Sequence, residues 1–137
     1  MPGISPAELL EAAKALLPRS VAPYSRFRVA ALLEDAAFAS HPGVNVESAS
    51  FGLSLCAERS ALFGALARGS TRFSRLAVVS DGARPVLPCG ACRQVLLEHA
   101  PDLILILERP DGSPEEVPLR DLIPRPFVDF RPKPKNP

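Results

Sequence analysis

The sequence predicts an α/β fold in which helices cover a central sheet. In the middle of the chain, apolar segments with strand character alternate with segments of helical spacing. This strand, helix, strand, helix, strand order is typical of crossover units, whose handedness brings the starts of successive helices to one edge of the sheet. Because 137 residues bury only one core, we expect a single domain over residues 1–127 and a Pro-rich, weakly ordered tail over residues 128–137.

The first predicted element is a helix that begins after Ser5. Pro6 takes the first helical position and Glu8 stands three residues after the Ser5 cap, which together indicate a helix start. Apolar residues follow at helical spacing, and Pro18 ends the helix. The next segment, "FRVAALLE", is predicted as a strand that forms a hairpin with "AAFASH".

The crossover units occupy the rest of the chain. In order, we predict a helix over residues 54–68, a buried strand over 75–81, a helix over 91–100, a strand over 102–108, a short strand over 115–119 and a helical turn over 119–123. Gly69 is placed as a left-handed stop after the first of these helices, and Pro101 ends the second.

Charge and hydropathy exclude two classes of partner. The 16 basic and 15 acidic residues include no dense basic block, which argues against nucleic acid held through its phosphates. No apolar run approaches the ~20 residues that cross a bilayer, and the N-terminus lacks a secretion signal. We therefore expect a soluble, cytoplasmic protein.

The three cysteines predict a metal site. Cys89 and Cys92 have the C-x-x-C spacing that grips one ion at a helix start, and Cys56 can supply a third thiolate from the neighbouring predicted helix. Helix N-termini favour thiolate over thiol. Three soft sulfur ligands and one position left for water describe an open tetrahedral zinc site.

Cysteines also occur in settings other than zinc sites. A lone cysteine is usually a small core residue, and a lone C-x-x-C is also typical of a redox pair or of half a structural four-ligand site. The chain has no fourth cysteine. His99 lies in the last turn of a predicted helix, where the dipole explains it, and His41 before Pro42 is predicted to lie at the surface.

Glu58 determines the chemistry that such a site performs. It stands two residues after Cys56 in the first helical turn, where its carboxylate is near the metal without being needed as a ligand. This position suits a group that shuttles protons for an activated water. The alternative, a glutamate favoured only by the helix dipole, would be preferred if Glu58 stood alone.

Together, C-A-E and the later P-C-x-x-C match the signature of zinc-dependent base deaminases, with Cys56 in place of the usual histidine. The sequence resembles the short, homotetrameric cytidine deaminases, which act on free nucleosides. The resemblance runs through "APYSRFRVAALL", "GVNVESAS", "CAERSAL", "PCGACRQVLLE" and "LIPRPF". It implies a three-layer α/β/α sandwich with a mixed central sheet of about five strands.

The resemblance also implies a reaction and a cofactor. The expected activity is hydrolytic deamination of cytidine and deoxycytidine to uridine and deoxyuridine, with release of ammonia, in pyrimidine salvage. One zinc ion per subunit is held by Cys56, Cys89 and Cys92, and Glu58 moves a proton from the attacking water to N3 of cytosine. Arg59 is implied to donate hydrogen bonds to the ligating sulfurs, and Arg93 is a second candidate for that role.

Substrate contacts follow from the same resemblance. In an extended segment Asn45 and Glu47 point to one side, and the resemblance assigns them to the 3′-hydroxyl of the sugar. Phe27 is implied to stack on the pyrimidine, and the amide of Ala57 to bind the ring carbonyl. Phe127 is implied to reach into the site of a neighbouring subunit, so the expected homotetramer has composite active sites.

The chain departs from the family pattern in a few places. Phe51 lacks the hydroxyl of the usual tyrosine, and residues 34–42 lack the usual Asp-Gly turn. The nearest rival function is deamination of another cytosine nucleoside, such as an aminoacyl nucleoside antibiotic. A non-catalytic zinc-binding module and a redox protein are the rivals from other classes, and both leave Glu58 unexplained.

Overall fold

Five strands form one mixed sheet in a computed structural model that describes residues 3–82 and 86–128. The strands are β1 (Val29–Asp35), β2 (Ser40–Val44), β3 (Phe73–Ser80), β4 (Ile104–Glu108) and β5 (Pro114–Pro118). Their order across the sheet is β2-β1-β3-β4-β5, and only the β3–β4 pair is parallel. Apart from Val128, the predicted tail lies outside the described residues.

Helices cover both faces of the sheet. The α-helices within the described residues are α1 (Pro6–Lys14), α2 (Ala57–Ala67), α3 (Gly90–His99) and the short α4 (Leu119–Leu122). The sheet has one apolar core on each face, and alternate residues of β1 contribute to different cores. Ala30 and Leu32 pack under α1, whereas Ala31 and Leu33 pack under α2 and α3. The predicted three-layer α/β/α sandwich with a five-stranded mixed sheet is confirmed. None of the described helices has the length and hydropathy that a membrane span requires.

The predicted start of α1 is confirmed in detail. Glu8 N–H donates to Ser5 Oγ at 3.1 Å, and Ser5 N–H donates to Glu8 Oε1 at 3.2 Å, which completes a capping box. Leu9, Leu10 and Ala13 bury the apolar face of this helix. The helix therefore forms one outer layer of the sandwich.

The second strand of the hairpin was predicted too early in the chain. "AAFASH" contributes only Ser40 and His41 to β2, and residues 36–39 form the turn. Phe38 takes a φ of 67°, the left-handed conformation that a glycine would supply in an Asp-Gly turn. Asp35 Oδ1 accepts hydrogen bonds from the amides of Ala37 and Ala39, so a carboxylate stabilises the turn that the sequence does not mark.

Helix α2 lies close against the edge strand β2. A Cβ on Gly43 would lie 2.2 Å from the carbonyl oxygen of Ala57 and 2.5 Å from the amide of Ala61, so only glycine allows this approach. Helix α2 begins after Cys56, three residues later than predicted, and Gly69 ends it with a φ of 94°, as predicted. The close packing fixes the start of α2 at the sheet edge.

The prediction that His41 lies at the surface was wrong. The residue is 6% exposed in β2, and its Nε2 lies 2.9 Å from Asp35 Oδ2. Pro42, which suggested a loop, occupies the edge strand, where a missing amide donor is tolerated. His99, by contrast, is exposed in the last turn of α3, as predicted.

Candidate active site

The three thiols meet where helices α2 and α3 begin. Cys56 is the N-cap residue of α2, Cys89 is the N-cap residue of α3, and Cys92 lies in the first turn of α3. The parallel β3–α3–β4 crossover brings the start of α3 beside that of α2. Residues that are 33 positions apart in the chain therefore form one cluster.

The spacing of the sulfurs fits zinc. Cys56 Sγ lies 3.9 Å from Cys89 Sγ, Cys89 Sγ lies 3.5 Å from Cys92 Sγ, and all three lie within 4.8 Å of one another. Two sulfurs on a tetrahedral zinc, each about 2.3 Å from the ion, are about 3.8 Å apart. These three residues would hold a zinc ion and would leave one ligand position for a water molecule.

Cys56 and Cys92 differ in the pKa of their thiols. Contact with Cys92 and then with the guanidinium of Arg59 holds the pKa of Cys56 well below its usual range. The hydrogen bond with Cys56 and burial raise the pKa of Cys92. Cys56 therefore gives up its proton more readily than Cys92, and a zinc ligand must be deprotonated.

Glu58 is a buried carboxyl beside this cluster. The residue lies in the first turn of α2 and is only 4% exposed. Burial, and secondarily the charge on Cys56, raises the pKa of Glu58 to about 7. A carboxyl with this pKa both accepts and donates a proton near neutral pH.

Arg59 donates to the sulfur cluster. Its Nη2 lies 3.3 Å from Cys56 Sγ, and contacts with Cys56 and then Cys92 raise the pKa of Arg59. Its Nε is buried and has no hydrogen-bond partner among the described residues. The structure thus places the guanidinium of Arg59 against the sulfur cluster.

Arg93 forms hydrogen bonds with backbone carbonyls and not with the sulfur cluster. Its Nε donates to the carbonyl oxygen of Pro88 at 2.7 Å, and its Nη1 donates to that of Leu122 at 3.0 Å. The side chain therefore ties the loop before Cys89 to the end of α4. The hypothesis that Arg93 also donates to a sulfur is not supported, because both of these hydrogen bonds go to backbone.

A cleft of about 250 Å³ opens beside the thiols and Glu58. The predicted substrate-binding residues of one chain, apart from Phe127, line it together with two of the three thiols. Its walls are Ser25, Phe27, Val29, Asn45, Glu47, Cys56, Ala57, Glu58, Val86, Leu87 and Cys89. Besides the thiols and the Glu58 carboxyl, the cleft therefore has a polar wall and several apolar side chains.

The polar wall is built from Asn45 and Glu47. Asn45 Nδ2 donates to the carbonyl oxygen of Phe27 at 2.8 Å, and its Oδ1 accepts from Val29 N–H at 2.9 Å and from the Ser20 hydroxyl. These contacts hold Asn45 in one orientation. The Ser20 hydroxyl was not predicted, because nothing in the pattern of a lone serine marks it.

Glu47 is held in the same manner by the loop before β1. Its Oε1 accepts hydrogen bonds from the amides of Tyr24 and Ser25, and its Oε2 accepts one from the Ser25 hydroxyl. These hydrogen bonds, the one from the Ser25 hydroxyl foremost, lower the pKa of Glu47. Ser25 was not predicted, although it lies in the segment "APYSRFRVAALL", which carries part of the family resemblance.

Phe127 does not reach the cleft of its own chain. Its ring is 65% exposed, and its backbone amide donates to Gln94 Oε1 at 3.1 Å while its carbonyl accepts from Gln94 Nε2. The side-chain amide of Gln94 thus holds Phe127 against α3. Of the predicted site residues, Phe127 is the one that the fold places apart from the others.

Comparisons with known proteins agree on one family. The family model described as "Cytidine and deoxycytidylate deaminase zinc-binding region" matches residues 5–107. A cytidine deaminase of Halalkalibacterium halodurans is 45% identical over 109 residues, which cover 77% of this chain and 81% of the relative. A cytidine deaminase of Sporosarcina psychrophila is 38% identical over 122 residues, covering 88% of this chain and 89% of the relative.

Solved structures with this fold carry the same name. The 1.6 Å crystal structure of cytidine deaminase from Burkholderia pseudomallei has a TM-score of 0.85 and 43% identity, covering 90% of this chain and 100% of that one. The crystal structure of cytidine deaminase from Mycobacterium tuberculosis has a TM-score of 0.80 and 34% identity, covering 91% and 98%.

Proposed function

The chain belongs to the cytidine and deoxycytidylate deaminase zinc-binding family, and from this premise we propose that it is a zinc-dependent hydrolase that deaminates cytidine and deoxycytidine. Water replaces the amino group at C4 of the ring, which yields uridine or deoxyuridine and ammonia. One observation carries this proposal: a buried carboxyl, Glu58, lines the same cleft as Cys56 and Cys89, which form with Cys92 a cluster of three thiols spaced as zinc ligands.

Cys56, Cys89 and Cys92 hold the zinc ion in this proposal. Zinc, when bound, supplies a Lewis acid that brings the pKa of a water molecule close to neutral. Three thiolates around a divalent ion leave one net negative charge, which weakens that effect. Arg59 offsets it by donating to Cys56 Sγ.

Glu58 moves the protons. Its carboxylate accepts a proton from the attacking water and delivers it to N3 of the cytosine ring. The same group transfers the proton with which ammonia departs. The raised pKa, about 7, suits a residue that acts first as base and then as acid. Its burial excludes bulk water, which would otherwise exchange the proton.

The base is bound between a ring and a helix start. Phe27 stacks on the pyrimidine, and Gly82 makes room for that ring, because a Cβ there would lie 2.6 Å from Phe27 Cε2. The amide of Ala57 is among the first in α2, where backbone donors have no partner within the helix. It donates to the ring carbonyl, and Asn45 and Glu47 bind the 3′-hydroxyl.

We further propose a cytoplasmic homotetramer with composite sites. Phe51 and Leu53 are 74% and 75% exposed in this chain, which is unusual for large apolar side chains and indicates a covered surface. The exposed ring of Phe127 enters the site of a neighbouring subunit. The free thiols favour a reducing compartment.

The test of function is an ultraviolet assay of the zinc-loaded protein with cytidine, deoxycytidine and cytosine in parallel. Both nucleosides should be converted and the free base should react far more slowly, because it lacks the sugar that Asn45 and Glu47 bind. No conversion of any compound, with one zinc per chain, would contradict the proposal and favour a non-catalytic zinc-binding module.

Oligomeric state is tested separately by dilution. Specific activity should fall when the protein is diluted below its assembly threshold, and Phe127→Ala should lower activity without lowering zinc content. An activity that responds to neither change would contradict the composite site while leaving the deaminase proposal intact.

A further inference from the structure

The loop before β1 closes around the carboxylate of Glu47. The amides of Tyr24 and Ser25 donate to Oε1 at 3.0 and 3.1 Å, and the Ser25 hydroxyl donates to Oε2. An ionised carboxylate offers about four acceptor positions. Three are therefore occupied by the protein itself, and one position on Oε2 is left for a ligand.

Ser25 also joins Glu47 to the residue that stacks on the base. The amide of Phe27 donates to Ser25 Oγ at 3.0 Å, so one hydroxyl donates to the carboxylate and accepts from the stacking residue. Ser25, Phe27 and Glu47 all line the cleft that contains Glu58. The hydroxyl thus lies between the two parts of the molecule that would hold sugar and base.

The backbone of this loop needs such support. Arg26, between Ser25 and Phe27, has a φ of 56°, a left-handed conformation that is uncommon for residues other than glycine. Strained conformations of this kind persist when their surroundings fix them, and they cluster at functional sites. Here the hydrogen bonds to Glu47 and from Phe27 flank the strained residue on both sides.

We propose that Ser25 is a positioning residue for substrate specificity: its hydroxyl orients the Glu47 carboxylate so that the one remaining acceptor position on Oε2 takes a single hydroxyl donor of the sugar. The inference rests on the proposed function, which assigns the sugar to Glu47. A sugar without that hydroxyl, or with a phosphate on it, brings no proton to Oε2 and is rejected.

The experiment compares cytidine with 3′-deoxycytidine. The value of kcat/KM is measured for both compounds in the zinc-loaded wild type, Ser25→Ala and Ser25→Thr, and dissociation constants of uridine and 3′-deoxyuridine are measured by calorimetry. Ser113→Ala is the matched control, because the Ser113 hydroxyl also donates to a carboxylate, Asp111 Oδ1 at 2.6 Å, in the turn between β4 and β5. Ser25 is exposed, so its truncation leaves no internal cavity.

In the wild type, the 3′-hydroxyl should improve kcat/KM by tenfold or more, roughly the effect of one hydrogen bond to a charged group. Ser25→Ala should reduce this preference about tenfold, through KM for cytidine, and should change kcat/KM for 3′-deoxycytidine little. Ser25→Thr keeps the hydroxyl and should restore the preference. Ser113→Ala should leave it unchanged.

Equal losses for both compounds in Ser25→Ala would overturn the proposal, because a merely structural role lowers both alike. A wild type that deaminates both compounds equally would overturn it as well, while leaving the deaminase function standing. If the wild type converts neither compound, the proposed function fails, and the ratio of uridine to 3′-deoxyuridine affinity in Ser25→Ala and wild type still decides the role of Ser25. A ratio that is the same in both proteins refutes that role.

Discussion

Polar groups are buried at both ends of helix α2, but those at the C-terminal end form a hydrogen-bonded network. At the N-terminal end, burial raises the pKa of Glu58, and Arg59 Nε has no hydrogen-bond partner among the described residues. At the C-terminal end, Asp35, His41, Arg68 and Ser70 form a network in which the members bond to one another. The N-terminal end of α2 is therefore suited to a chemical role, whereas the C-terminal end stabilises the fold.

The C-terminal network contains a serine, a histidine and an aspartate, yet it is no catalytic triad. Arg68 donates to His41 Nδ1 at 3.1 and 3.3 Å, so that nitrogen carries no proton and Nε2 donates to Asp35 Oδ2. The Ser70 hydroxyl donates to the same Asp35 oxygen at 3.0 Å. In a triad, serine and aspartate bond to different ring nitrogens, and here His41 has no free nitrogen to accept a proton from Ser70.

The largest expected effect lies at the N-terminal end. Cys56→Ala removes one of three zinc ligands, so zinc per chain should fall and activity should drop below about one hundredth of wild type. Zinc is measured by atomic absorption on the purified protein. Ser70→Ala, at the other end of α2, is the control and should keep its zinc. Full zinc content in Cys56→Ala would contradict the ligand assignment.

Arg59→Ala should have a smaller effect at the same end. Loss of the donor to Cys56 Sγ leaves more negative charge at the metal, and loss of such a supporting contact costs roughly tenfold in activity or zinc affinity. The pH dependence of kcat/KM should shift as well, because the activated water becomes less acidic. Arg93→Ala, which removes hydrogen bonds to backbone only, is the comparison. An unchanged rate and profile in Arg59→Ala would contradict the role.

His41→Ala should affect stability and leave the chemistry intact. The substitution removes the hydrogen bonds that join His41 to Asp35 and to Arg68, which should lower the free energy of unfolding by about 2 kcal/mol. Chemical denaturation measures the loss, and kcat/KM below the transition should stay within a factor of about two of wild type. A large loss of kcat/KM in folded His41→Ala protein would show that the two ends are not separate.

The two ends should also respond to pH with opposite sign in zinc-free protein. The hydrogen bond with His41 is the main cause that lowers the pKa of Asp35 from 3.8 to about 2. Asp35 therefore contributes stability that is present above pH 3.8 and is lost as the pH falls toward 2. Glu58, whose pKa is raised from 4.5 to about 7, favours the fold while protonated, and this contribution is lost as pH rises from 4.5 toward 7.

Unfolding titrations of wild type, Asp35→Asn and Glu58→Gln between pH 2 and 7 separate these contributions. Asp35→Asn should flatten the curve only at its acid end, and Glu58→Gln only near neutral pH. If Glu58→Gln parallels wild type from pH 4.5 to 7, the carboxyl is not held in a destabilising environment.

Much of the site could be predicted because it lies on helix starts. Cys56, Glu58, Cys89 and Cys92 stand at fixed spacings in first turns, and the crossover rule brings those turns together. The sulfur cluster and the family are confirmed. What such spacings cannot provide is the orientation of side chains that depend on irregular backbone.

Residues outside regular elements show that limit. Ser25 contacts Glu47 from an irregular loop, and the next residue, Arg26, takes a left-handed φ that nothing in the sequence marks. His41 was predicted at the surface because Pro42 suggested a loop, whereas the edge of a sheet accepts a proline. Arg93 and Arg59 both follow a cysteine closely in sequence, yet only tertiary packing decides which one meets sulfur.

Glu58→Gln tests the central claim most directly. The amide keeps the size of the side chain but cannot accept a proton, so kcat/KM for cytidine should fall by roughly 10²–10⁴-fold while the protein keeps one zinc per chain. Its stability at neutral pH should equal or exceed that of wild type, because a buried charge has been removed. A zinc-loaded Glu58→Gln protein that retains more than about a tenth of wild-type kcat/KM would contradict the assignment of Glu58 as the proton carrier.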